Sequence, residues 1–174
     1  LKDLKIGFEI IMQSKSITKI LKPNELKLLV YGEKQCKIEQ MKNVIKVDVE
    51  LKVDSNESKN SDQNKVNKLT ELFWETIESF SIDERLKFIR FSSGYSTLPA
   101  LGLRWEKDLI VRILSQEKGS IRDKLPHAVT CTPRIDIPYF ESKEELARAL
   151  RICINYCANI SDNELSAQDL EEYI

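Results

Sequence analysis

Residues 45 to 53, "IKVDVELKV", alternate without a break. Ile45, Val47, Val49, Leu51 and Val53 fall on one side; Lys46, Asp48, Glu50 and Lys52 fall on the other. Side chains of an extended chain point to opposite faces with a period of two, so this stretch predicts a strand with one face buried and one in water. A half-buried strand cannot stand alone. It needs neighbours to pair with and an apolar layer to rest on.

The rest of the chain offers both. "KDLIVRILS" (107–115) reads as a second, β-branched strand, and "HAVTCTPRIDIP" (127–138) as a third, which Pro133 interrupts and so marks as an edge or a bulge. "FIRFSSGYSTLP" (88–99) reads as a short strand running into a loop. "VNKLTELFWETIESF" (66–80) is an amphipathic helix, with Val66, Leu69, Phe73, Ile77 and Phe80 recurring at three and four; Phe73 and Trp74 read as packing residues. "SIDERLKFIRF" restarts a helix, with Ser81 and Glu84 spaced as a capping box, and "SKEELARALRICINYCANI" (142–160) repeats that spacing at Ser142 and Glu145. Between strand and helix, "DSNESKNSDQNK" (54–65) holds no apolar residue and reads as a solvated loop. The opening residues read as helical, with Pro23 early in a helix through Leu26, Leu29 and Val30, and Gly32 stopping it. "GEKQ" then looks like a hinge, and the closing "SDNELSAQDLEEYI" (161–174) is acidic and weakly periodic. The expected fold class is α/β (or α+β): a compact lobe with a roughly four-stranded mixed sheet and flanking helices, preceded by a short helical remnant.

Composition narrows the partners. With 174 residues the chain is of ordinary single-domain size, and 27 basic against 28 acidic side chains leave a net charge of -1. That balance gives no electrostatic reason to expect nucleic acid or an anionic membrane as partner. No apolar run approaches the roughly 20 residues of a membrane span, and "LKDLKIGFEI" lacks the apolar core of a signal peptide. The chain starts without Met, which suggests a piece of something longer. No cofactor is expected. Four cysteines (Cys36, Cys131, Cys153, Cys157) in a chain large enough to fold without staples point to reduced thiols and a cytoplasmic or nuclear setting. Metal binding is not expected either: there is no CxxC, and His127 is the only histidine. Cys153 and Cys157, at i and i+4 in an apolar helix, read as small core residues.

Cys131 ends the run "LPHAVTC" (125–131), at the start of a predicted strand. It admits four readings: core residue, disulfide half, metal ligand or nucleophile. Lys124 and Arg134 are close in sequence and would favour a thiolate if they were close in space. His127 invites a Cys-His dyad, but in an extended segment residues four apart lie roughly 13 Å from each other. Composition and spacing alone favour a buried, inert cysteine.

Three ordered blocks change that reading. "LPHAVTC" followed by "RIDIPYFESKEELARAL" resembles the active-cysteine segment of HECT-type ubiquitin ligases: Leu-Pro-x-Ala/Ser-x-Thr-Cys, an apolar strand, then Pro, Tyr, Ser and a helix. "FWETIESFSIDERLKFIRFSSGYSTLP" is similar to the family's Phe-Trp, a helix with Glu-Arg, and Phe-x-x-Gly-x-Ser-x-Leu-Pro. "IGFEIIM" and "LKPNELKLLVYG" resemble the closing helices of the family's larger N-terminal lobe, and "LRICINYCANISDNEL" is similar to the HERC-like branch. The resemblance implies that residues 1–31 end the N-terminal lobe, that Gly32, Glu33 and Lys34 form the interlobe hinge, and that 35–174 form the C-terminal catalytic lobe, with an acidic tail from about 161. It implies that Cys131 accepts ubiquitin from a conjugating enzyme as a thioester and passes it to a lysine of a protein substrate. The conjugating enzyme would be recruited through the N-terminal lobe, so this chain alone would not be fully active.

A thiolate exchanges acyl groups with another thioester at little cost, because bond types are conserved, and needs no dyad if positioning supplies the rate. Thr130 is a candidate to orient the thiol or to donate to the developing oxyanion, or is simply a β-branched strand residue. Asp162 and Glu164 are candidates to help deprotonate the lysine, or lie in a solvated tail. The chain departs from the family at Val129, where a His is usual, and at Thr132 and Pro133, where Phe-Asn is usual. The strand "IKVDVELK" lacks the usual Gly-Tyr, and no Phe follows Phe140 near the C-terminus, so that either Tyr173 or Leu170 substitutes or this branch works without one. The alternative is a degenerate lobe that binds ubiquitin or a partner without catalysis.

Overall fold

The alternating stretch forms the strand it predicts, β1 (Ile45–Glu50), entered from a short helix, α2 (Ile38–Val44), which sequence periodicity does not reveal. The computed structural model describes residues 20–50, 59–100, 103–114 and 125–156, with isolated positions at 6, 7 and 10. Leu51 to Val53 lie outside the described residues, as do most of the opening helical stretch, Cys157 and the acidic tail. Before α2 comes α1 (Pro23–Tyr31), with Pro23 in the first turn as expected. After β1 come α3 (Lys59–Glu78), α4 (Ile82–Ser93), β2 (Leu109–Leu114), β3 (His127–Val129), β4 (Arg134–Ile137) and α5 (Lys143–Tyr156).

The four strands form one sheet in the order β1-β2-β4-β3. β1 pairs with β2 and β2 with β4, both parallel; β3 returns antiparallel on the far edge of β4. The sheet is mixed, as expected. One face is covered: Leu109, Val111, Ile113, Ile135 and Ile137 are buried there with Phe73 and Ile77 of α3, Phe88 and Ile89 of α4, and Leu146, Leu150 and Ile154 of α5. The other face carries Lys46, Asp48, Glu50, Ile110, Arg112, Arg134 and Asp136. Phe73 is a core residue and meets Trp74 edge-on at 5.1 Å, which bears out the packing reading of this pair.

Three readings need correction. "FIRFSSGYSTLP" does not begin as a strand: α4 runs on to Ser93. The Ser81–Glu84 box starts it, with Glu84 N–H donating to Ser81 Oγ at 3.2 Å and Ser81 N–H to Glu84 Oε2 at 2.8 Å, and Gly94 ends it at φ 77. Its aromatic and β-branched residues are held helical because Phe88, Ile89, Ser92 and Ser93 bury on one helical face, a case of packing overriding local propensity. The polar run 54–65 is also partly helical, since α3 begins at Lys59; there Gln63 donates to Asn67 at i,i+4 (3.0 Å), a pairing that polar residues supply without a core. Finally, "HAVTCTPRIDIP" is a hairpin, not one interrupted strand.

The junction between α1 and the lobe is tied down. Gly32 has φ 73, and a Cβ there would lie 2.1 Å from the Leu98 carbonyl oxygen. Glu33 N–H donates to that oxygen at 2.8 Å, and Thr97 Oγ1 donates to the Tyr31 carbonyl at 2.5 Å. Among the described residues no helix is long and apolar enough to cross a membrane.

Candidate functional site

The hairpin puts Cys131 on a turn. Val129 and Arg134 are the last paired residues, which leaves Thr130, Cys131, Thr132 and Pro133 to reverse the chain. Pro133 suits the exit: it has no N–H to satisfy, and its carbonyl accepts from Ile110 N–H at 2.9 Å, bonding the turn to β2. Thr130, Cys131 and Thr132 are exposed, and the Cys131 thiol is free. The expectation of a strand-start position, and the buried reading that spacing favoured, are both overturned by this turn.

Rigid elements hold the turn from behind. Ile135 buries in the core one residue after Arg134. Pro126 is buried before β3, and the Cys153 thiol of α5 donates to its carbonyl at 3.5 Å, so the core reading of Cys153 stands. On the open face, Arg112 grips Asp136 through a fork, Nε to Oδ1 at 2.9 Å and Nη2 to Oδ2 at 2.6 Å. Its Nη1 lies 3.3 Å from Glu50. The hydrogen bonds to Asp136 are the main reason the guanidinium binds its proton more firmly than an isolated arginine. Arg134 Nε sits 3.2 Å from the same Asp136 carboxylate without hydrogen-bond alignment. Asp136 therefore joins β2 to the strand that leaves the thiol turn.

His127 stands opposite Asp136 on β3, and the strand carries it away from the turn. Thr130 is next to the thiol, with its Cβ 4.0 Å from where a Gly94 Cβ would lie. The Gly94 end of α4 thus abuts the thiol turn. Gly32 and Glu33 meet Thr97 and Leu98, a few residues further along the same loop, and Lys34 is exposed beside them. Asp162 and Glu164 lie outside the described residues, as does Lys124. Among the described residues no cluster of three or more His, Cys, Asp or Glu side chains is placed to hold a metal.

The family model of the HECT-domain (ubiquitin-transferase) matches residues 1–161. The chain belongs to the HECT family. Relatives within it include the E3 ubiquitin-protein ligase UPL6 of Arabidopsis thaliana, 32% identical over 87 residues, which is 49% of this chain and 8% of that protein. The probable E3 ubiquitin-protein ligase HERC3 of Homo sapiens is 35% identical over 86 residues, 49% of this chain and 8% of that protein. The E3 ubiquitin-protein ligase HUWE1 of Mus musculus is 32% identical over 88 residues, 49% and 2% respectively. The chain therefore spans a small part of the HECT proteins it matches.

Two features of this HECT-family chain escape sequence reasoning. The Arg112–Asp136 fork joins residues 24 apart through a parallel register that no local pattern reports, although polar residues at alternate positions of "LIVRIL" and "RIDI" mark the open face. The contact of Gly94 with the thiol turn had a signal, a glycine directly after a helical stretch, which reading 88–99 as a strand obscured.

Proposed function

We propose that residues 35–174 of this chain are the catalytic C-terminal lobe of a ubiquitin-protein ligase and that Cys131 is its acyl-accepting nucleophile. The observation that carries the reading is the free, exposed thiol on a turn braced from both sides, at the Cys of the "LPHAVTC" motif. In this mechanism the Cys131 thiolate attacks the carbonyl of a ubiquitin thioester on a conjugating enzyme. A tetrahedral oxyanion forms, the enzyme's sulfur leaves, and ubiquitin remains as a thioester on Cys131. Thr130, the residue before the thiol, would orient it or donate a hydrogen bond to the developing charge. A lysine of the protein substrate then displaces Cys131, with Asp162 or Glu164 assisting removal of its proton.

Residues 1–31 would close the N-terminal lobe, through which the conjugating enzyme is recruited, and 32–34 would be the hinge to the lobe that begins at 35. The ties from Tyr31 and Glu33 to Thr97 and Leu98 mean that any swing at the hinge must break or carry those contacts. A working thiol of this kind suits a reducing cytoplasmic or nuclear setting.

The test is capture by ubiquitin bearing a C-terminal electrophile. One covalent adduct, mapped by peptide mass to Cys131 and absent in Cys131→Ala, is expected. Non-covalent ubiquitin binding with no adduct would instead favour the non-catalytic binding lobe.

A further inference from the structure

Helix α5 carries a groove that has no part in the mechanism above. Its volume is about 540 Å³, and its lining residues follow the helix from Lys143 to Tyr156. That is room for several side chains rather than for a bound water. Ala147 and Ile152 line it and are buried, so its deep side is apolar. Among the described residues that line it, Lys143, Arg148 and Arg151 are basic and Glu144 is acidic. Arg151 is held in place: its Nε donates to Glu84 Oε1 at 2.7 Å, and its guanidinium lies 4.9 Å from the centre of the Phe80 ring. The groove therefore combines an apolar surface with a rim that is positive on balance.

The chain has a segment of the opposite character. Residues 161–174, "SDNELSAQDLEEYI", hold the carboxylates of Asp162, Glu164, Asp169, Glu171 and Glu172, no Lys or Arg, and the apolar side chains of Leu165, Leu170, Tyr173 and Ile174. Helix α5 ends at Tyr156, itself a lining residue, so the chain that follows leaves from one end of the groove. From Lys143 to Tyr156 the helix is about 20 Å long. An extended segment of this length reaches about 45 Å, and residues 157–160 are enough to turn the chain back. Tethered at the groove's end, the segment has an effective concentration of about a millimolar, so a shallow, charge-matched contact suffices to hold it.

We propose that the α5 groove is the docking site for the chain's own acidic segment, residues 161–174. Its carboxylates pair with Lys143, Arg148 and Arg151, and its apolar side chains cover Ala147 and Ile152. A nucleic acid would match the cations but neither the apolar pair nor Glu144. A second copy of this chain, at net charge -1, offers that charge match only through the same segment and without the tether. The inference stands apart from any chemistry at Cys131.

The experiment uses the whole chain and a protease that cuts after glutamate, with cleavage at Glu164, Glu171 and Glu172 followed by intact mass. A synthetic peptide of residues 157–174 reports the rate for the undocked segment, and each variant is compared with a peptide carrying the same changes. Cleavage tracks the undocked population, so at low salt the parent should be cut about tenfold more slowly than the peptide. Lys143→Gln with Arg148→Gln should speed cleavage about two- to tenfold, from the loss of two exposed ion pairs. Asp162→Asn with Asp169→Asn should do the same while leaving the groove intact, and it decides the matter if the groove variant melts early. Salt at about 0.5 M should bring the parent close to the peptide. Cleavage of the parent at the peptide's rate overturns the proposal, as does protection that neither pair of substitutions relieves. Protection that grows with protein concentration assigns the groove to the segment of a second copy and overturns docking within one chain.

Discussion

Three described cysteines sit in three environments that set what each thiol can do. Cys36 is fully buried, and burial pushes its pKa up to about 11 against the opposing pull of Arg85. Cys153 is buried in α5 and spends its proton on the Pro126 carbonyl. Cys131 stands in water on the turn. Only the thiolate alkylates, so near pH 8 roughly one Cys36 in a thousand is reactive even before access is counted. Brief iodoacetamide treatment of the native chain should therefore label Cys131 well ahead of Cys36 and Cys153, read by peptide mass; equal labelling in the folded protein would contradict these environments. Cys153→Ala should lower stability by about 1 kcal/mol, measured by urea unfolding, and leave charging of Cys131 intact. At this scale the sequence was informative for Cys131, because a motif of ordered residue types marks it. It was silent on Asp136, whose importance comes from Arg112 arriving on a strand that is distant in sequence.

Two glycines with similar backbones should respond differently to the same change. Gly32 and Gly94 both have positive φ, at 73 and 77. A Cβ on Gly94 meets open space up to Thr130 at 4.0 Å, so Gly94→Ala should cost about 1 kcal/mol, the strain of a left-handed alanine. A Cβ on Gly32 would collide with the Leu98 carbonyl oxygen, which is backbone and cannot swing aside. Gly32→Ala should cost more than about 2 kcal/mol or release α1 from the loop, which urea midpoints of the two variants will rank. Helix α4 carries a pH signature as well. Partial burial pushes the Glu84 carboxyl up, but hydrogen bonds from Arg151 and Ser81 outweigh it, and the net shift is downward. The stabilisation is therefore present above the unfolded value, about 4.3, and is lost as pH falls through the lower folded value. Arg151 is partly exposed, so the pair contributes about 0.5–1 kcal/mol. Glu84→Gln should lose less stability than the parent between pH 6 and pH 3, in parallel thermal melts. The capping box that starts this helix was legible in the sequence; its far end was not, because aromatic and β-branched residues imitate a strand until packing decides.

At the largest scale the described residues form a sheet with one covered face, and the proposed chemistry sits at the tip of its edge hairpin. Alternation in "IKVDVELKV" and the apolar strand "KDLIVRILS" were enough to anticipate a mixed sheet with helices on it. Strand order was not legible, because parallel pairs join residues far apart in sequence and leave no local trace. The open face shows what that order assembles: Asp48, Arg112, Asp136 and His127 stand opposite one another in register across all four strands. The row ends on the edge strand that leads into the thiol turn. The candidate site was legible through its family motif at Cys131 and Thr130, while the approach of Gly94 became visible only once α4 was seen to end against that turn. The most direct test of the account is intact mass after mixing this chain with a ubiquitin thioester of a small thiol, which supplies the acyl group without a conjugating enzyme. The account predicts one added ubiquitin, removed by excess reductant at neutral pH and absent in Cys131→Ala. A folded chain that binds ubiquitin and gains no mass, or an adduct that persists in Cys131→Ala, would contradict it.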